Sequence, residues 1–378
     1  MNVNAVAKIV NNVVAFIPYP YRGGLQEYAI ELSRRLGIPL VVVVSGNKSL
    51  QTEMEELFKT FGRNLHVFYA DFDVFRNPIL VNSSKYNELR KVLKEFELVH
   101  FHGPFPLSGD LVLRELNYIF TYHFDIELRS MLANTVARLY GSIMLRNTLK
   151  KAKVITATSE TFVRESRFLN EFRDKVAILP LGIDARGMRP TYEYLSRIVF
   201  IGRIIPEKGI HVLLYAFKKL VNEHRNLELF IIGKPVDTSY YNSLKALAKS
   251  KGIEGKVHFT GYLERNKMLQ LLASSSALVL PSLTRLDSFG IVILEASSLA
   301  VPVVVSSIIP GAREFVERAG NGFLVRPSSV DDLVASIRTI LRDPREFGER
   351  GRRYVIANHD WDTVVGRALD ILNRCTFN

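Results

Sequence analysis

Short aliphatic runs of strand length recur along this chain, each followed by a stretch of helical length, and that alternation limits the fold more than any other feature. Residues 12–17, 40–44, 65–68, 98–101, 119–122 and 154–157 read as strands in the first half, with helical stretches at 25–36 and 85–95. The pattern restarts at 197–201 and continues through strand-like runs at 227–232, 257–260, 277–280, 301–305 and 322–325. Helical stretches at 210–221, 241–251, 266–274, 289–299 and 330–341 separate or follow them, and 350–358 and 361–374 close the chain. Strands alternating with helices predict an α/β fold with doubly wound parallel sheets. Between the two series, residues 180–196 are rich in Gly, Pro and turn residues and read as a linker. The expected division is a first domain over 1–187 and a second over 188–360, with the closing helix 361–378 packing back on the first. Two Rossmann-like doubly wound domains facing across a cleft are the expected architecture.

Composition matters mainly for what it excludes. The 378 residues suit two domains. The single cysteine, Cys375, allows neither an intrachain disulfide nor a cysteine-based zinc site, which fits a reducing compartment. No apolar run reaches the ~18–20 residues that span a bilayer, and the N-terminus lacks the order of a secretory signal. The expected location is cytoplasmic. A formal net charge of +12 leaves nucleic acid, an anionic membrane surface and phosphorylated small molecules as candidate partners. Nucleic acid drops out because no recognition motif accompanies the charge. Residues 129–175 carry ten basic side chains against four acidic ones. Within them, Leu139, Ile143, Met144 and Leu149 interleave with Arg138, Arg146, Lys150 and Lys151. This is either a helix with a solvated basic face or a peripheral contact with an anionic membrane, at the inner surface if the location is cytoplasmic.

Four features carry chemistry. In the stretch 281–306, PSLTRLDSFGIVILEASSLAVPVVVS, Asp287 stands before a helical segment and Glu295 inside it, with seven residues between them. A carboxylate among IVIL and ASSLA is costly unless it meets a donor, so Glu295 is either a satisfied core acid or a ligand group. The turn IGRIIPEKG places Arg203 and Lys208 between a strand and a helix, at the sheet edge where open α/β sheets bind ligands. Cations beside a helix N-terminus work against its dipole and call for an anion, and an Arg with a Lys suits a diphosphate. Gly23 and Gly24 directly precede a helix, where backbone N–H groups can approach a ligand closely. His100, His102 and His123 fall at strand ends, with His123 best placed to line the cleft. Their spacing lacks the helical His-x-x-x-His pair of a zinc site, and the Asp71-Phe72-Asp73 acids read as a turn, so no metal is assigned.

In combination these segments resemble the retaining glycosyltransferases of GT-B architecture, family 4, also described as glycosyl transferases group 1. The resemblance runs nearly end to end: the glycine pair, TYHFD, PLGID, IGRIIPEKG, FTGYL, then 281–306 followed by PGAREFVERAGNGFLV. It implies that Arg203 and Lys208 hold a donor diphosphate and stabilise the leaving nucleotide, and that Glu295 accepts from the ribose hydroxyls. Asp287, with the backbone of Ser288, Phe289 and Gly290, would hold donor-sugar hydroxyls. Gly23 and Gly24 would bring backbone to the diphosphate, His123 would contact the sugar near the reacting carbon, and the backbone around Gly261 and Tyr262 would border the base. The chain departs from the family in three places: Asp287 where a Glu is usual, Gly233-Lys234-Pro235 where a richer glycine turn is usual, and Leu181 where many members have Asn. The implied activity is a metal-independent, retaining transfer of a hexose from a UDP-, GDP- or ADP-sugar to a carbohydrate, small-molecule or lipid-linked acceptor, with no cofactor. The alternatives are a non-catalytic glycosyltransferase-like binding subunit and a sugar-nucleotide epimerase on the same scaffold.

Overall fold

The computed structural model describes residues 11–19, 23–45, 51–74, 77–80, 82–106, 109–126, 135, 139–285 and 289–376. They form two compact units, Met1–Gly182 with Asp362–Asn378 and Ile183–Trp361. In the first, seven parallel strands run β1 Val13–Tyr19, β2 Leu40–Val44, β3 Leu65–Tyr69, β6 Leu98–Gly103, β7 Tyr118–Tyr122, β8 Val154–Ala157 and β9 Val176–Ile178. The two short strands between, β4 Phe72–Val74 and β5 Asn77–Ile79, pair antiparallel as a separate ribbon. The sheet order is β3-β2-β1-β6-β7-β8-β9. Every residue of β1 and β2 is buried, as expected of strands covered by helices on both faces. Phe101 packs against Phe16 and Phe120 at centroid distances of 5.2 and 5.1 Å, which places the core under β1, β6 and β7.

Local chemistry fixes the element ends. Helix Ser83–Lys94 is capped by Asn82, whose side chain accepts from the Ser84 and Lys85 N–H groups at 2.9 and 3.4 Å. Asp71 and Asp73 do more than turn the chain. Asp71 accepts from the Asn82 N–H and from Lys85 Nζ at 2.8 and 2.7 Å, and Asp73, inside β4, accepts from the Ser45 hydroxyl. The closing helix, Trp361–Thr376, is tied to the first unit by Lys153 Nζ, which donates to the Cys375 carbonyl at 2.9 Å. Of the basic segment, 127–134 and 136–138 lie outside the described residues. The part that is described widens into a π-helical turn, Gly141–Leu145, and continues as helix Arg146–Lys151. Leu145 and Leu149 are buried there while Leu139 and Ile143 are exposed.

The second unit repeats the plan with six parallel strands: β10 Leu195–Ile201, β11 Glu228–Ile232, β12 Val257–Gly261, β13 Ser275–Leu280, β14 Val303–Ser306 and β15 Gly322–Val325. Their order is β12-β11-β10-β13-β14-β15. The residues ahead of β10 are strapped to the end of the unit. Ile183 N–H donates to the His359 carbonyl at 2.8 Å, Arg186 N–H to Asp360 Oδ2 at 3.1 Å, and Arg352 Nη1 to the Met188 carbonyl at 2.9 Å. Each sheet has one point where the strand order reverses, between β1 and β6 and between β10 and β13. In open parallel sheets the carboxyl edge at that point is where loops diverge and ligands bind. Among the described residues, no helix is long and apolar enough to cross a membrane.

Candidate active site

In the second unit the reversal brings two loops together, one after β10 and one after β13. Leu283 N–H donates to the Glu207 carbonyl at 2.8 Å, so the turn carrying Lys208 is bonded to the loop that leaves β13. Gly209 has φ +67°, and a Cβ there would strike the Pro281 carbonyl oxygen. Only glycine satisfies both the backbone angle and that close approach. Helix Ile210–Glu223 starts at Gly209 without a side-chain cap of its own, and the Tyr240 hydroxyl accepts from the His211 N–H at 3.2 Å instead. Arg203 is exposed and its guanidinium has no partner among the described residues; Lys208 is half-buried in the same turn.

The neighbouring strand ends carry almost no side-chain bulk. Gly202 N–H donates to the Ile232 carbonyl and Gly233 N–H to the Gly261 carbonyl, both at 2.9 Å. A Cβ at Gly233 would overlap the Gly202 carbonyl oxygen. The short Gly233-Lys234-Pro235 turn is held by Ile204 N–H, which donates to the Lys234 carbonyl at 3.0 Å. Gly261 ends β12 with open space where a Cβ would be, and Tyr262 beside it is 77% exposed. The ends of β10, β11 and β12 therefore form a backbone shelf next to Arg203.

Glu295 sits in helix Ile291–Ser298, which follows β13, and is 3% exposed. Burial raises its pKa, and Arg265 at the start of helix Arg265–Ala273 opposes the rise. Arg265 Nη1 lies 2.5 Å from Glu295 Oε1, and the arginine side chain is 59% exposed. The sequence reading missed this partner; the only signal was its place two residues after Leu263 in FTGYL, at the edge where β12 ends. Gly290 opens the Glu295 helix with φ +94° and no side-chain cap, which leaves first-turn N–H groups at the edge. Phe289 is buried against Phe315 and His359, with centroids 5.8 Å away in both cases, so its ring anchors the backbone that leads to Gly290. Asp287 and Ser288 lie outside the described residues.

The first unit's edge is built differently. Gly23 is the extended residue before helix Gly24–Leu36, and a Cβ at Gly24 would meet nothing within 4 Å. His102 ends up inside β6, and His123 directly follows β7 with its N–H donating to the Gly103 carbonyl at 2.9 Å. The two rings stack with centroids 5.4 Å apart, and His102 Nδ1 is 3.1 Å from His123 Nε2. Tyr28, from the helix after β1, meets both rings edge-on at 6.1 and 5.5 Å. His100 lies tilted against His102 with centroids 4.3 Å apart and bonds Thr121 at 2.6 Å. Burial pushes the His100 and His123 pKa values down to about 4 and about 3, and His102 is driven well below its ordinary value. The three rings are neutral, buried and in contact through His102. Among the described residues no group of three or more His, Cys, Asp or Glu side chains converges as metal ligands would.

Two all-parallel, doubly wound sheets with these residues at their reversal points define an α/β enzyme of the GT-B class, the fold shared with solved glycosyltransferases. A glycosyltransferase from Rickettsia africae superposes with a TM-score of 0.75 at 19% identity, covering 97% of this chain and 99% of that one. Anabaena HepE in complex with UDP superposes with a TM-score of 0.79 at 16% identity, covering 96% and 100%. Residues 22–186 match the family described as Glycosyltransferase Family 4, and residues 190–358 match Glycosyl transferases group 1. The chain belongs to the group 1, family 4-like glycosyltransferases and is a transferase enzyme. Among curated relatives, D-rhamnosyltransferase WbpZ of Pseudomonas aeruginosa is 28% identical over 284 residues, 71% of this chain and 70% of the relative. The O-antigen chain mannosyltransferase C of Escherichia coli is 24% identical over 298 residues, 75% and 76% of the two chains.

Proposed function

We propose that the enzyme transfers a hexose from a nucleoside diphosphate sugar to a carbohydrate acceptor with retention of anomeric configuration. The observation that carries this reading is that one reversal point bears Arg203, unpartnered among the described residues, a neighbouring Lys208 and the buried carboxylate of Glu295. A nucleoside diphosphate has the complementary groups: two anionic phosphates and a ribose diol. Arg203 and Lys208 hold the diphosphate and neutralise the charge that builds on it as the glycosidic bond breaks. Glu295 accepts from the ribose hydroxyls, and the backbone at Gly261 and Tyr262 borders the base. Gly23 and Gly24 serve the diphosphate through backbone N–H groups. Asp287, Ser288, Phe289 and Gly290 serve the sugar hydroxyls, and His123 meets the sugar near its reacting carbon.

The two cations supply the charge that a divalent ion would otherwise supply, so turnover is expected to survive chelation by EDTA. The relatives named for rhamnosyl and mannosyl transfer, one of them an O-antigen chain enzyme, support a glycan under construction as acceptor. The basic segment with exposed Leu139 and Ile143 supports a lipid-linked acceptor presented at an anionic membrane surface on the cytoplasmic side. The test is a screen of UDP-, GDP- and ADP-sugars for binding and for slow hydrolysis without acceptor, with the anomer of the released sugar read by NMR. One donor should bind and release sugar of unchanged configuration. Inversion would overturn retention, and binding of no donor would overturn the whole reading.

A further inference from the structure

The three histidines of the first unit pose a proton-counting problem with one good solution. His100 Nδ1 and His102 Nε2 are both buried without a hydrogen-bond partner. The contact between His102 Nδ1 and His123 Nε2, 3.1 Å, can be protonated in two ways. If His123 donates from Nε2, His102 must accept at Nδ1 and carry its own proton on Nε2, which strands a buried N–H. If His102 donates from Nδ1, its Nε2 is only an unused lone pair, and His123 keeps its proton on Nδ1. Each arrangement leaves one N–H without a partner among the described residues, but His102 Nε2 is fully buried and His123 Nδ1 is not. An N–H on His123 can therefore meet water or a ligand while one on His102 forfeits a whole hydrogen bond, and the second arrangement wins.

The same rule settles His100. Its Nε2 lies 2.6 Å from Thr121 Oγ1, which in turn lies 2.7 Å from Thr156 Oγ1. Donation from His100 Nε2 lets the Thr121 hydroxyl donate onward to Thr156 and leaves a lone pair at the unpartnered Nδ1. One choice thus accounts for both unpartnered nitrogens. Adding a second proton to either ring of the contact pair would put a cation among buried rings, and burial opposes it. His123 Nδ1 makes no hydrogen bond to any described residue.

We propose that His102 locks His123 in the Nδ1–H tautomer, so that His123 meets the donor sugar as a neutral hydrogen-bond donor and not as a base. The sugar-facing half of this rests on the role given to His123 above. His102 is a positioning residue: it touches no substrate and acts through the proton it keeps off His123 Nε2.

The test uses the full chain labelled with ¹⁵N-histidine and long-range ¹H–¹⁵N correlation at neutral pH, with His123→Gln to assign the resonances. Wild type should show a pyrrole-type Nδ1 and a pyridine-type Nε2 at His123. His102→Leu removes the donor and should shift the proton to Nε2. His102→Asn, whose amide N–H lies near the position of the lost Nδ1–H, should restore Nδ1–H. Donor kcat/KM should fall about tenfold in His102→Leu, the worth of one hydrogen bond, and recover in His102→Asn. A wild-type His123 protonated on Nε2 overturns the lock, and that spectrum decides even if the Leu variant does not fold. An Nδ1–H that persists in His102→Leu overturns the part assigned to His102. A tautomer that shifts while kcat/KM stays unchanged leaves the lock standing and overturns the sugar contact of His123.

Discussion

The carboxyl edges of the two sheets have the same topology and opposite chemistry. At the first, Tyr28, His102 and His123 fill the reversal point with buried, neutral rings in mutual contact. At the second, the strand ends are reduced to glycine backbone, and the polar groups are a cationic turn and a buried carboxylate. Charge is what a nucleoside diphosphate needs for binding and for leaving. In the reading proposed above, a neutral, preorganised edge is what orients the sugar. The doubly wound sheet supplies the place twice, and the residues after each strand decide what the place does.

Acid should separate the two edges most strongly. An imidazole whose folded pKa lies below its ordinary 6.5 stabilises the fold above pH 6.5, and that stability is lost as pH falls toward the folded value. With His100 at about 4 and His123 at about 3, the first unit should lose ~2 kcal/mol per ring, ~4 kcal/mol in all, between pH 7 and pH 5. Glu295 has the opposite sign. Its raised pKa makes its term most favourable at low pH and weaker as pH rises through the folded value. Hydrogen exchange resolved by unit, corrected for intrinsic rates, should show protection falling in β6 and β7 but not in the helix Ile291–Ser298. Equal loss in both would break the contrast.

Lys208→Ala should come next, lowering kcat by about 10²-fold through lost stabilisation of the leaving diphosphate. Single-turnover kinetics with the donor found in the screen would measure it, and near-normal turnover would remove Lys208 from the site. Glu295→Gln should weaken nucleotide binding by about tenfold or somewhat more, the loss of charge-assisted bonds to the ribose diol, as read by calorimetry. The smallest effect expected is at the Asn82 cap. Asn82→Ala should destabilise the first unit by ~1 kcal/mol in a denaturant titration and leave donor kinetics unchanged.

Most of this architecture was legible because fully buried parallel strands read as unbroken aliphatic runs. Leu40–Val44, fully buried, has the bounds its sequence suggests, and so do the partly buried Val154–Ala157 and Gly322–Val325. What escaped had weak local signals. Helix Gln51–Phe61 buries Met54 and Leu57 but few other apolar groups, so its stripe is thin. β9 is only half-buried over three residues. Strand β6 extends to Gly103, so His102 lies within the strand, because pairing with β7 continues past the aliphatic run. At the site, the odd position of Glu295 was visible in the sequence, but its partner was not. Arg265 is thirty residues away and arrives only because the helices after β12 and β13 start at the same edge. The packing of Gly233 on Gly202 was equally hidden, since the shortened turn reads as a departure from the family and not as a backbone contact.

The measurement that bears most directly on the second edge is calorimetric binding of one nucleoside diphosphate and its 2′,3′-dideoxy analogue to wild type, Lys208→Ala and Glu295→Gln. If Lys208 meets the diphosphate and Glu295 meets the ribose, Lys208→Ala weakens both ligands alike. Glu295→Gln then weakens the ribonucleotide and leaves the dideoxy analogue, already weaker, unchanged. Equal losses for both ligands in Glu295→Gln, or no loss in Lys208→Ala, would contradict the assignment of these two groups to one nucleotide.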